Sequence, residues 1–170
     1  MSFEIVTVPC LSDNYAYLIH DEASGKTALV DVPEAAPILD ALTTRDWSLS
    51  EVWITHHHAD HVQGLAAVLA KHEAIVRGAA KDVHRLPALD VAHADEDHFD
   101  FAGQDVRVMD VSGHTIGHLA YYIESAKAVF TAGASSGRSP FGPNTAGKKS
   151  AWIRPRRRLA SVTVSGPSRR

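Results

Sequence analysis

Residues 53–64 read WITHHHADHVQG. His56, His57, His58, Asp60 and His61 fall within six positions of one another. Neutral imidazole is the side chain most often used to hold a metal, and zinc accepts both imidazole and carboxylate. Side chains alternate along an extended backbone, so His56 and His58 point to one side and His57 to the other. His56 and His58 can therefore grip one cation together. Asp60 and His61 follow as the chain turns, and they can face a second cation beside the first. A three-histidine site needs one more ligand from elsewhere in the chain. His114, in SGHTIGH, is the candidate, because Gly113 before it permits a sharp turn. His118 is read as a supporting or structural histidine rather than a ligand. His20, His72, His84, His93 and His98 are expected at the surface.

The elements that must position these residues are legible from periodicity. FEIVTVP and NYAYLIHD alternate apolar and polar residues as half-buried strands do, and KTALVDVP follows a Ser24-Gly25 turn. Together they predict a three-stranded meander. EAAPILDALTTRDW has apolar residues at helical spacing, with Pro37 tolerable only in the first turn. EVWIT reads as a short buried strand that ends where the histidines begin. GLAAVLAKH predicts a helix, AIVR a strand and AAKDVHRL a short helix. HADEDHFDFAGQ is polar and is expected to be an irregular loop. DVRVMDV, LAYYIES and AVFTA predict three further strands, the first delivering His114 to a sheet edge. This order describes an α/β layered domain with a mixed sheet. Sites in such sheets lie at the carboxyl ends of strands, which is where the cluster stands.

A chain of 170 residues suffices for one domain with one core. No run of about 18 apolar residues exists, so no membrane span is expected. MSFEIVTVPC has no basic stretch leading into an apolar core, so no secretory signal is expected either. The single cysteine, Cys10, suits a reducing compartment and is read as structural, which makes the cytoplasm the expected location. The net charge of −3 hides a split. Residues 1–132 hold 8 Lys and Arg against all 20 acids, whereas residues 133–170 hold 9 Lys and Arg and no acid. The expected division is therefore a domain over 1–132 and a basic, Gly/Ser/Pro/Arg-rich, poorly ordered tail over 133–170. Within the tail, LASVTV could form a short strand, but no partner for it is evident. RPRRR, residues 154–158, could bind nucleic acid through phosphates, but a solvated tail is the commoner use of such a run. Neither a nucleic-acid nor a membrane partner is expected.

The motifs resemble a known family. THHHADHVQG is similar to the T-H-x-H-x-D-H signature of the metallo-β-lactamase superfamily. VPCLSDNYAYLIHD and GHTIGHLAYYI resemble the hydroxyacylglutathione hydrolase (glyoxalase II) branch, and the similarity covers residues 1–132. The resemblance implies a metallo-β-lactamase-like αββα layered sandwich, here incomplete because its second half is truncated. It also implies a binuclear site, usually Zn2+, with iron or manganese as alternatives. His56, His58 and His114 would hold one ion; Asp60, near the attacking water, and His61 would belong to the second. The implied substrate is the glutathione thioester S-D-lactoylglutathione, cleaved to D-lactate and glutathione. Asn14 and Tyr15 match the family's opening and are expected to order a loop.

The chain departs from the family pattern at one point. Gly133 stands where the resemblance places a bridging aspartate, and no histidine follows His118. The implied consequence is one tightly bound ion and impaired hydrolysis. An ending read out of frame accounts for the abrupt change in composition. Shifting the frame near codon 133 is then expected to restore a continuation like D-S/T-L-F. Two alternatives remain open: a mono-iron persulfide dioxygenase of the same superfamily, and an inactive remnant or basic-tail binder.

Overall fold

The computed structural model describes residues 3–132 and the two short strands Trp152–Ile153 and Ala160–Ser161. Two sheets form, and the change of connection from hairpin to helix explains the first. β1 (Phe3–Cys10), β2 (Asn14–Asp21) and β3 (Lys26–Val30) pair antiparallel through tight turns, as the meander predicted. From β3 onward the connections carry helices, and β4 (Leu49–Trp53), β5 (Ile75–Ala79) and β6 (Val91–His93) add in parallel. Parallel neighbours require a crossover long enough to return over the sheet, and a helix supplies it.

α1 (Ala35–Arg45) buries Ile38 and Leu42, one turn apart, against the first sheet. Pro37 lies in its first turn, where the missing N–H costs nothing. The helix stops at Asp46, which adopts the left-handed conformation (φ 56°) and donates its N–H back to the last carbonyls. α2 (Ala59–Val62) and α3 (Leu65–Leu69) are single turns separated by Gln63 and Gly64.

The second sheet is antiparallel throughout: β7 (His98–Phe101), β8 (Gln104–Asp110), β9 (Leu119–Ile123), β10 (Ala128–Phe130), then β11 (Trp152–Ile153) and β12 (Ala160–Ser161). Ala160–Ser161, from the LASVTV stretch, thus has a partner that the sequence did not reveal. With those four positions excepted, the expected poor order of residues 133–170 and the basic run 154–158 lie outside the described residues. The expectation of a loop over HADEDHFDFAGQ is corrected. Its alternation puts Phe99 and Phe101 inward and His98 and Asp100 outward, so it pairs as β7, and His93 ends β6. AAKDVHRL forms only a 3-10 turn, Ala80–Asp82.

The two sheets pack face to face through aromatics. Trp53 of β4 meets Phe99 and Phe101 edge-on, with ring centres 5.3 Å away in both cases, and Tyr121 at 5.4 Å. Between the same faces Glu51 accepts from Trp53 Nε1 and pairs with Arg77, both at 2.8 Å. The Arg77 guanidinium in turn lies over Phe99, 4.2 Å from its ring centre. His93 is buried here, stacked on Phe99, and His20 is buried against Trp47; both correct the surface expectation.

Gly64 is set by packing rather than by its torsion. A Cβ there would lie 2.9 Å from Ala35 N and 3.0 Å from Val32 O, which are backbone atoms that cannot swing away. Gly64→Ala is expected to cost about 1–3 kcal/mol of stability, read as a lower urea midpoint with an unchanged slope.

Candidate metal centre

β4 ends at Trp53, and the chain stays extended through His58 before α2 begins. His56, His58 and His114 each offer a ring nitrogen, and these nitrogens all lie within 4.8 Å of one another. His114 Nε2 is 3.0 Å from His58 Nδ1. His57 points away, as alternation required, and its Nδ1 donates to Asp82 Oδ2 at 2.8 Å. His61 sits beside the trio with its ring centre 4.2 Å from that of His56, and its Nε2 is 3.4 Å from Asp60 Oδ2. Asp60 is held by Asn14, whose Nδ2 donates to both the carboxylate and the backbone carbonyl. The ordering role expected for Asn14 thus has a defined target. The sequence-derived positions therefore converge, three in one group and two alongside it.

Asp31 organises the centre, and sequence reasoning passed over it. It ends the β3 segment in the left-handed conformation (φ 59°), buried at 3% exposure. Its carboxylate accepts from Thr55 N–H at 2.8 Å, from the Thr55 hydroxyl at 2.8 Å and from His61 Nδ1 at 2.9 Å. A carboxylate here only accepts, so the His61 proton is on Nδ1 and the lone pair is on Nε2. Thr55 has one hydroxyl proton and spends it on Asp31. Its oxygen must then accept from His56 Nδ1, 3.0 Å away, which leaves the His56 lone pair on Nε2. One acid thus fixes the tautomers of two imidazoles. A short cleft of about 290 Å³, mouth included, opens against Asp31, Thr55 and His61 and is walled by Tyr15 and Tyr17.

Among the described residues, His56 Nε2 is buried and has no hydrogen-bond partner. An unpartnered buried polar atom costs about 1–3 kcal/mol, and a cation there removes that cost. Burial pushes the His56 imidazole down to about 2, and nearby His61, His118, His58 and His114 add to the effect. His58 is lowered by burial and then by its neighbours His114 and His57. Both rings are therefore neutral at pH 7, which is the form that ligates. The donor set fits a divalent ion that accepts nitrogen ligands. His118 is fully buried, with its ring centre 4.7 Å from that of His56 and neither nitrogen partnered among the described residues. Its imidazole is pushed down to about 4 by burial, against the pull of Asp31. Cys10 is buried beneath the β1–β2 turn, and burial followed by the charge of Glu34 raises its thiol to about 11. That supports a structural role.

Two facing sheets, the first mixed and the second antiparallel, carry the histidines on the loops that follow β4 and β8. The structure is similar to the BLEG-1 B3 metallo-beta-lactamase, with a TM-score of 0.68 at 17% identity over 75% of this chain and 71% of that one. It is also similar to ETHE1 from Myxococcus xanthus, with a TM-score of 0.60 at 28% identity over 77% of this chain and 56% of that one. The family model of the metallo-beta-lactamase superfamily matches residues 12–159, and the chain belongs to that superfamily. Among curated relatives, a hydroxyacylglutathione hydrolase of Roseobacter denitrificans is 70% identical over 132 residues, 78% of this chain and 52% of the relative. One from Ruegeria pomeroyi is 62% identical over the same shares. The chain spans about half the length of these relatives.

Asp31→Asn replaces an acceptor with a donor facing a donor. It is expected to cost about 1–3 kcal/mol in denaturant titration and to shift the His61 tautomer in nitrogen-edited NMR. Iodoacetamide is expected to alkylate Cys10 far more slowly in the folded protein than in urea, because burial both raises its thiol to about 11 and shields it from the reagent. Mass spectrometry of quenched time points reads both rates.

Proposed function

We propose that this chain carries the metal-binding half of a metal-dependent thioester hydrolase of the hydroxyacylglutathione hydrolase type, acting on S-D-lactoylglutathione in the cytoplasm. The observation that carries the reading is the convergence of one ring nitrogen from each of His56, His58 and His114, with His56 Nε2 unpartnered among the described residues. The names of the curated relatives support the substrate class. No described helix is long and apolar enough to cross a membrane.

His56, His58 and His114 would hold one ion, proposed as Zn2+. Asp60 and His61 would contribute to a second. A bound ion of this kind supplies Lewis acidity, polarising a carbonyl and acidifying water toward about 7. The chain's own residues do the rest. Asp31 and Thr55 keep the lone pairs of His61 and His56 directed into the site. Asn14 holds the Asp60 carboxylate in place by donating to its Oδ2. Tyr15 and Tyr17 wall the cleft beside His61.

The second position is proposed to be weak. Gly133 brings no ligand atom where the resemblance places a bridging carboxylate. The expected outcome is one tight equivalent of zinc and hydrolysis far below that of a full-length relative. His114→Ala is expected to lose more than the roughly 10–100-fold in affinity typical of an outer partner. Metal analysis after dialysis, run alongside S-D-lactoylglutathione turnover, tests this. Two retained equivalents with normal turnover would overturn the impairment. Iron with oxygen uptake would favour the persulfide dioxygenase reading, and no retained metal would overturn both.

A further inference from the structure

His56 and His58 come from the loop after β4, whereas His114 comes from the loop between β8 and β9 of the other sheet. Their approach requires a part that touches both loops. Asp82, in the 3-10 turn Ala80–Asp82 after β5, touches both and is wholly buried. On one side its Oδ2 accepts from His57 Nδ1 at 2.8 Å. That bond holds the middle histidine outward and so keeps His56 and His58 turned inward. On the other side Gly117 rests directly on the carboxyl. A Cβ at Gly117 would lie 2.5 Å from Asp82 Cγ, 2.6 Å from its Cβ and 2.8 Å from its Oδ2. Arg85 pairs with the remaining oxygen, Oδ1. Burial opposes the charge on Asp82, but the hydrogen bonds from Arg85 and His57 prevail and hold the carboxyl below the usual carboxylate range. The same turn reaches the start of the second loop again, where Lys81 Nζ meets Asp110 Oδ2 at 2.5 Å. Asp110 in turn accepts from Ser112 N–H at 2.8 Å.

We infer that Asp82 is a positioning residue of the metal site, a bracket that sets the separation of the His56/His58 loop from the His114 loop by clamping His57 and backing Gly117. The inference rests on the metal-binding reading above. Asp82 touches no reacting atom; it acts through two neighbours on different loops.

The test uses the full chain, with cobalt as the probe, competed against a chelator and followed by the visible spectrum. Asp82→Ala is expected to weaken cobalt binding by roughly 10–100-fold and to alter the spectrum. Asp82→Asn is expected to recover most of the loss, because its amide oxygen can still accept from His57. Gly117→Ala should weaken binding from the opposite loop. His57→Ala should weaken it too, and the double variant H57A/D82A should be no weaker than D82A alone, because both remove one connection. A purely structural role would lower the melting temperature of the metal-free protein and leave the affinity and spectrum of the folded fraction unchanged; that result overturns the inference. Affinities of H57A and G117A within twofold of the starting protein overturn it also, and these two variants decide the matter if D82A does not fold. If the unaltered chain binds no cobalt, the metal reading itself falls, and that outcome is distinct from an unaltered chain that binds while its variants bind equally well.

Discussion

The site depends on a buried carboxylate that cannot donate. Asp31 collects three donors, and each of its bonds removes a freedom that the centre could not tolerate. The bond from Thr55 N–H pins the end of β4. The hydroxyl bond orders Thr55 so that its oxygen can turn only to His56. The third sets the His61 ring. The left-handed backbone of Asp31 is a local cost of about 1–2 kcal/mol, and it is sustained because the flanking backbone is tied down. Asp31 N–H reaches Trp53 O at 3.1 Å, and Val32 N–H reaches His61 O at 2.8 Å. Strain at β3 and imidazole orientation after β4 are therefore one feature.

The scaffold beneath this is stiff for a different reason. Glu51 and Arg77 neutralise each other between the sheets, and Trp53 and Phe99 close over them. A buried ion pair of this kind is a poor source of net stability, but removing one partner is costly. Its effect is to fix how β4 and β5 lie against β7. The histidine loop leaves β4 two residues after Glu51, so any slip of that strand would carry the metal ligands with it.

Much of the frame was legible because it obeys simple periods. The meander, α1 and the outward turn of His57 follow from alternation or from helical spacing. The convergence of His56 and His58 did too. Asp31 and Asp82 were not legible. Each is a single acid in an ordinary context, and its importance arises from contacts 24 and 25 residues away in sequence. β7 was missed because its outward residues are polar, although Phe99 and Phe101 carried the alternation. His93 and His20 were misplaced because a ring that stacks on Phe99 or Trp47 looks no different in sequence from one in water.

The facing sheets are stitched together at the site by two bonds, from Leu119 N–H to Thr55 O at 2.8 Å and from the Tyr121 hydroxyl to Ile54 O at 2.9 Å. Both acceptors sit on the two residues that link β4 to His56. The seam between the sheets therefore runs along the stretch that leads into the ligand loop. Any shift of one sheet against the other along that seam displaces the backbone that leads into His56, so the spacing of the imidazoles is tied to the spacing of the two layers.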